Sequence, residues 1–233
     1  KRTVCPQCNM SYIQHLKQDK QLHDKFHKRV FEGLEISLSN ESDPTLLNQN
    51  EFFIKSFKLS KLQNKLGFII QVDYKNSKLI ALTKDFLNLI NLQLNAPDDN
   101  SNYLNGSQFG KVFLFIIDSK AVGLISIDIL NSLPSSSNQG HWMVYETGNL
   151  VPNVKVPLIA GISRIYISEK YRRCGIASLL LDTILNHSIY GMKLKKYQIG
   201  WSQPSEFGGK LAVNFNAVKH EKSGKLLIPV YKE

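Results

Sequence analysis

Cysteine is scarce, with three residues in a chain of 233. That excludes a disulfide framework, and an odd count containing a Cys-x-x-Cys pair, Cys5 and Cys8, points to a reducing compartment and to metal chemistry. Long apolar runs are missing too. Stretches such as 112–117 fall far short of the roughly 20 residues a membrane-spanning helix needs, so no membrane partner is expected and the protein reads as soluble. No charged-then-apolar signal segment opens the chain, and a first residue of Lys1 rather than Met places the expected natural start upstream. Acidic residues are also in short supply: 19 Asp and Glu stand against 29 Lys and Arg, a net charge of +10 with a pI near 9.4. Such an excess suits polyanionic company, whether nucleic acid, chromatin or a phosphorylated cofactor, and does not choose among them. The apolar share of 42% and the charged share of 21% are ordinary, which excludes wholesale disorder and fibrous repeats.

At about 150 residues per domain the length allows one large domain, or one with a small satellite. Residues 1–29 are basic and rich in Cys and His and form a unit of their own. Residues 30–58 read as a linker, with a polar stretch over 37–43 before Pro44. From 59 to 233 the pattern is regular. Strands are expected over 67–74 and 79–82 about a turn at Asn76-Ser77. Thr83 then caps a helix carrying Phe86, Leu87, Ile90 and Leu94, stopped by Asn95-Ala96-Pro97. A hairpin over 111–117 and 121–129, a loop over 131–140 and a brief strand over 142–145 follow. After them come a strand over 161–167, a helix over 176–190, a strand over 197–201, a helix over 209–217 and a closing strand over 226–231. There is no internal repeat. The order predicts an α/β (α+β) fold, a mixed, mostly antiparallel sheet flanked by helices.

The first constellation is Cys5, Cys8, His23 and His27: Cys-x-x-Cys, fourteen intervening residues, then His-x-x-x-His. A Cys-x-x-Cys turn sets two thiolates side by side, and two histidines four apart on a helix share one face, the ligand set of a structural zinc site. The connection lies within the usual spacing of about twelve to fifteen. His15 competes as a ligand but has no partner at helical spacing. A single finger covers only about three base pairs, so a structural or docking role is favoured over sequence reading.

The second constellation is Arg172-Arg-Cys-Gly-Ile-Ala177, between a strand and an amphipathic helix. Small residues at 175 and 177 let a phosphate approach the backbone, and a helix N-terminus offers free N–H groups and partial positive charge. Arg172, Arg173 and the Lys193-Leu-Lys-Lys196 run add charge suited to a polyanionic cofactor. The Gly-Lys-Ser/Thr of a Walker loop and the three spaced glycines of a dinucleotide fold are both absent.

Arg-x-x-Gly-x-Ala after a strand resembles the acetyl-CoA loop of the GCN5-related N-acetyltransferase superfamily. With a lone finger upstream, the segments Gly161-Ile-Ser-Arg-Ile-Tyr-Ile167, Trp201-Ser-Gln-Pro204, Gly209-Lys-Leu-Ala212, Trp142-Met-Val-Tyr145 and Leu94-Asn-Ala-Pro97 resemble the sister-chromatid cohesion acetyltransferases over nearly the whole chain. The resemblance implies a nuclear enzyme that acetylates lysines of the cohesin ATPase head during DNA replication, with the sliding clamp and chromatin as partners. It also implies acetyl-CoA and a structural Zn2+. By the same likeness, Ile165, Tyr166 and Ile167 hold the pantetheine arm and polarise the thioester carbonyl, and Arg173, Cys174, Gly175, Ile176, Ala177 and Ser178 take the pyrophosphate. Ser205, Glu206 and Phe207 border the cofactor, and Ser163 and Asp182 handle protons. Where some members carry Ser-Asp-Pro, this chain has Ser202-Gln203-Pro204, so either Asp182 or Glu206 works through a water or the substrate complex supplies the charge. An acidic patch around Asp182 and Glu206 is expected to receive the substrate lysine. On residue type alone, Asp182 also reads as a solvated helix residue and Ser163 as a small strand residue. Trp142, Trp201 and Tyr145 read as core packing or substrate platforms. The competing functions are a zinc-finger DNA-binding protein, disfavoured because one finger leaves some 170 residues unexplained, and a small-molecule N-acetyltransferase.

Overall fold

The computed structural model describes residues 1–36, 52–98, 102–130 and 140–232. In chain order the strands and helices are β1 (Thr3–Val4), β2 (Ser11–Tyr12), α1 (Lys17–Glu32), β3 (Leu34–Glu35), β4 (Phe53–Leu59), β5 (Lys65–Gln71), α2 (Ser77–Leu94), β6 (Gly110–Ile117), β7 (Lys120–Ile129), β8 (Gly140–Val144), β9 (Leu150–Val156), β10 (Ala160–Ile167), α3 (Ile176–His187), β11 (Ile199–Trp201), α4 (Glu206–Asn216), β12 (Val218–Lys219) and β13 (Leu226–Val230). Two compact units share them. One comprises Lys1–Asp98, Phe113–Leu124 and Tyr166–Leu179, and the other comprises the remainder.

In the first unit the strand order is β4-β5-β6-β7. Phe113 to Ile117 of β6 are at most 1% exposed, and such a continuous apolar run belongs to a strand covered on both faces. Asp118 and Ser119, at φ 48° and 58°, join β6 to β7 in the two-residue, left-handed turn that matches strand twist. The expected strand over 79–82 is instead the first turns of α2. The Asn76 side chain accepts the N–H groups of Lys78 and Leu79 at 3.1 Å each, so an N-cap forms where a hairpin turn was expected. Thr83 is therefore a buried interior residue, and its hydroxyl donates to the Leu79 carbonyl at 2.7 Å. Asn95, at φ 49°, ends the helix.

Within 30–58, the expected linker, the described residues are structured. Helix α1 runs on to Glu32 and ends at Gly33, φ 92°, where a Cβ would lie 2.4 Å from the Ala121 carbonyl oxygen. Leu34 and Glu35 pair with Ala121 and Lys120, and β4 pairs along β5. The polar stretch over 37–43 lies outside the described residues.

In the second unit the order is β7-β10-β11-β13-β8-β9, with β12 on β13. The β10–β11 and β11–β13 pairs are parallel; β13–β8 and β8–β9 are antiparallel. β9 is an additional strand that the sequence pattern did not announce. It is largely exposed and carries Pro152, as an edge strand can. The expected loop over 131–140 lies outside the described residues up to 139, and Gly140 opens β8. Helix α4 starts at Glu206 rather than 209 because Ser205 caps it, accepting the Gly208 N–H at 3.2 Å. Gly161 and Gly200 lie opposite one another in the β10–β11 register. A Cβ on Gly161 would lie 2.2 Å from the Tyr231 ring, and one on Gly200 would lie 2.4 Å from Leu158. Tyr231 packs with Leu130, Val156, Leu158 and Trp142, and its hydroxyl donates to buried Asp128 at 2.8 Å. Asn102 donates to the other oxygen of Asp128 at the same distance. The fold is the mixed α/β architecture expected.

Candidate active site and metal centre

The donor atoms of Cys5, Cys8, His23 and His27 lie within 4.8 Å of one another. The β1–β2 hairpin presents the thiols: the Cys5 N–H bonds the Met10 carbonyl at 3.0 Å, and the Asn9 N–H, from a residue at φ 58°, bonds the Cys5 carbonyl at 2.9 Å. Helix α1 presents both imidazoles. His23 stacks on Tyr12 with centroids 3.9 Å apart, and its Nδ1 meets Asp24 at 3.0 Å. This leaves Nε2 buried with no hydrogen-bond partner. An orphaned imidazole nitrogen whose other nitrogen is fixed by a carboxylate is the arrangement of a metal ligand. The Cys8 backbone N–H, aided by His23 and His27, pulls the Cys5 thiol down to about 6, whereas burial pushes Cys8 up. Two sulfurs and two imidazoles fit zinc, which would supply folding free energy here rather than chemistry. His15 is outside the cluster.

The finger does not stand apart from the rest of the first unit. Gln93 donates to the Cys8 carbonyl at 2.9 Å. The Arg29 guanidinium lies 2.6 Å from Asp85 as an ion pair. Glu32 lies 2.5 Å from Lys120 and 3.8 Å from Lys170. The Lys120 contact holds the Glu32 carboxyl below its ordinary range despite partial burial. The Tyr166 hydroxyl reaches the Val30 carbonyl at 3.5 Å, and burial pushes that phenol up to about 12. Tyr166 also meets Phe86 edge-on at 6.0 Å.

Beyond the buried Tyr166 and Ile167, a short 3-10 turn at Glu169–Tyr171 leads to the loop that opens α3. Arg172 is committed to that turn: its Nε donates to the Ile167 carbonyl at 3.0 Å, and its guanidinium covers the Tyr166 ring at 5.5 Å. Arg173 at φ 62° and Gly175 at φ 86° bend the loop through the left-handed region. Lys61 ties it down, donating to the Arg173 carbonyl at 3.1 Å. A Cβ on Gly175 would meet nothing within 4 Å, so the glycine serves its φ and the space before it is open. Ile176 is buried, Cys174 and Ala177 are half-buried, and Ser178 is exposed. The Cys174 thiol points at the Arg172 carbonyl, 3.5 Å away. Open space, a bent loop and the first N–H groups of a helix fit a pyrophosphate.

In the second unit β10 and β11 are paired only from Ala160–Ile199 to Ile162–Trp201, with a last bond from the Ser202 N–H to the Ile162 carbonyl at 2.9 Å. β11 stops there and β10 continues, so the strands part beside Ser163 and Ile165. Ser163 is buried in β10, and its carbonyl accepts Arg164 Nη1 at 2.8 Å. Asp182 is exposed on α3. Its backbone carbonyl accepts from Asn186, and its carboxylate has no ion pair or hydrogen bond among the described residues. Ser205 is spent on capping. Exposed Glu206 pairs with Lys210 at 2.9 Å, a contact that holds its carboxyl low, and Phe207 stands 68% exposed. The acidic patch expected of Asp182 and Glu206 is thus reduced on the Glu206 side by its lysine. Trp201 is interior, with Nε1 on Asn216 at 2.9 Å and Phe215 edge-on, and Trp142 joins the Tyr231 cluster, so both tryptophans are packing residues. Arg164, 5% exposed, and Glu32 are structural participants that residue type did not reveal. The alternation of β10, which puts Arg164 in phase with Ile162 and Tyr166, was the available signal for the first.

A metal-ready finger, a glycine-bent loop opening a helix and two parting parallel strands are parts that an acetyl-CoA-dependent N-acetyltransferase would use. The family model for the ESCO1/2 acetyl-transferase matches residues 156–223, and that for the zinc-finger of acetyl-transferase ESCO matches 1–29. The chain is 36% identical to N-acetyltransferase ECO1 of Debaryomyces hansenii, spanning 99% of this chain and 83% of that protein. It is 34% identical to the Saccharomyces cerevisiae ECO1, spanning 97% and 88%, and 25% identical to mouse ESCO2, spanning 91% and 33%. The solved xEco2 acetyltransferase domain bound to a K105-CoA conjugate shares the fold, with a TM-score of 0.56 at 21% identity over 76% of this chain and 96% of that one. The chain belongs to the Eco1/ESCO family of N-acetyltransferases. No helix among the described residues is long and apolar enough to cross a membrane.

Proposed function

We propose that this enzyme acetylates lysines of the cohesin ATPase head in the nucleus during DNA replication, with the sliding clamp and chromatin as partners, and so serves sister-chromatid cohesion. The observation that carries the reading is the parting of β10 from β11 after Ile162, which frees strand backbone for an acyl-CoA arm. The xEco2 domain holds a lysine–CoA conjugate on the same fold, which supports a lysine as acceptor. Residues 1–29 form the finger, and the catalytic domain, read from the sequence as 59–233, also includes β3 and β4. Bound acetyl-CoA supplies a thioester acyl group. Backbone groups of Ile165, Tyr166 and Ile167 hold its arm and polarise the carbonyl, Arg173 to Ser178 hold the pyrophosphate, and Ser205 to Phe207 border it. An exposed lysine has a pKa of about 10.4, so the site must accept a proton. Glu206 is a poor acceptor while Lys210 holds it. Asp182, whose carboxylate has no such partner, takes that role through a water, and Ser163 shares in the proton handling.

A DNA-reading finger is disfavoured because α1 is engaged along its C-terminal half by Asp85, Lys120 and Tyr166. The test is incubation with acetyl-CoA and purified cohesin head domain, with mapping of modified lysines by mass spectrometry. Acetylation confined to defined head lysines is expected. An enzyme that turns over free polyamines and leaves the head unmodified would sink the reading.

A further inference from the structure

Helix α3 ends at His187, and residues 188–198 lead from it to β11. The backbone of this loop is well fixed. Buried Ser188 donates its hydroxyl to the Ile184 carbonyl. Leu194, 1% exposed, is the anchor, and its N–H bonds the Leu185 carbonyl at 2.7 Å. Ile189 and Met192 form an isolated antiparallel bridge about Gly191, φ 71°. The Asn216 side chain clamps the far end, donating to the carbonyls of Lys196 and Ile199 at 3.0 and 2.8 Å. On this frame two tyrosines and three lysines are exposed. Tyr190 is fully exposed at 101%, Tyr197 is 59% exposed, and Lys193, Lys195 and Lys196 are exposed between them. No acidic residue occurs from 183 to 205. The side chains of Tyr190, Lys193, Lys195 and Tyr197 make no hydrogen bond or ion pair among the described residues, and Lys196 lies over the Phe215 ring at 5.2 Å.

A packed loop gains nothing in stability by holding two phenol rings in water, and a solvated basic run does not need them. Rings interleaved with cations on a rigid frame are what a single-stranded nucleic acid needs, with faces for bases to stack on and charge for the phosphates. We infer that residues 188–198 form a single-stranded nucleic-acid binding surface, separate in sequence from the loop that opens α3 at its other end. This reassigns the Lys193–Lys196 run, first read as serving the cofactor. An acidic protein segment could also use these lysines and tyrosines, but stacking on bare rings beside cations suits bases and phosphates, and the polyglutamate arm of the test separates the two.

The test is fluorescence anisotropy of the whole chain with a labelled single-stranded thymidine oligonucleotide, a duplex of equal length and a polyglutamate peptide, titrated with salt. Tyr190→Ala and Tyr197→Ala should each weaken oligonucleotide binding by about 5- to 150-fold, and Tyr190→Phe should retain it because stacking needs the ring alone. Neutralising the three lysines to Gln should lower the slope of log affinity against log salt by about 2, at about 0.7 per phosphate contact on a single strand. These positions are exposed, so unchanged thermal midpoints should confirm that folding is intact. The proposal fails if the oligonucleotide does not bind, if the tyrosine variants bind as tightly as the parent, or if polyglutamate binds more tightly than the oligonucleotide through the same residues. It also fails if the lysine variant loses acetyl-CoA affinity but keeps the oligonucleotide.

Discussion

Replacing Gly161 by alanine should be among the most damaging single-methyl changes in this protein. The new Cβ would stand 2.2, 2.4 and 2.6 Å from three atoms of the Tyr231 ring, all well inside the 3.4 Å at which ordinary contact begins. The ring is not free to retreat, because Leu130, Val156 and Leu158 pack around it and its hydroxyl bonds Asp128 at 2.8 Å. Overpacking a filled core costs about 1–3 kcal/mol, and displacing a hydrogen bond to a buried carboxylate costs about 1.5–3 kcal/mol. A total of about 2.5–6 kcal/mol is expected. In a chain of this size each kcal/mol lowers the melting midpoint by about 2–4 °C, so the fall should be about 5–24 °C by calorimetry. The diagnostic is a double-mutant cycle. In a Tyr231→Leu background the clash is gone, and Gly161→Ala should then cost less than about 1 kcal/mol. An equal penalty in both backgrounds would refute the claim that the glycine exists to admit the tyrosine ring.

Three further outcomes are expected. Glu32→Gln keeps the shape but removes the charge facing Lys120 and Lys170, and should cost about 1 kcal/mol after allowance for partial exposure. Because the folded-state carboxyl is held low, its contribution is present above about pH 4.3 and lost as pH falls through the lowered value, so the variant should show a flatter acid limb in denaturant titrations. Cys8→Ala should abolish zinc binding, measured by metal analysis, and raise amide exchange over the β1–β2 hairpin and the first turns of α1, while the end of α1 held by Arg29–Asp85 and Glu32 stays protected. Uniform exchange along the whole of α1 would contradict that division. Asp182→Asn should lower turnover on a lysine substrate by about 100-fold or more with acetyl-CoA affinity unchanged; equal loss in both would mark a structural residue.

What could be read from the chain depended on how local each cause was. The Cys and His spacing and the small residues at 175 and 177 express covalent geometry, so the metal cluster and the helix-opening loop were legible. Leu79 to Leu82 were misassigned because Asn76 suits both a turn and a cap, and only the N–H groups of Lys78 and Leu79 decide between them. β9 escaped notice because an exposed edge strand need not alternate apolar and polar residues. Glu32 could not be read at all: its partner Lys120 is 88 residues away, and a lone glutamate at a helix end looks like a solvated one. The role of Tyr231 over the Gly161–Gly200 pair was hidden for the same reason, since parallel strands bring together residues that sequence proximity does not.

Arg173 is a non-glycine residue in the left-handed region, a conformation that costs about 1–2 kcal/mol, and the Lys61 bond to its carbonyl offsets part of that cost. If this loop takes the pyrophosphate, as proposed above, it has little ordering left to do when a diphosphate arrives. Its conformational entropy was lost on folding, so acetyl-donor capture should follow a single bimolecular phase whose rate rises linearly with concentration, without the plateau that a loop closing after encounter would impose.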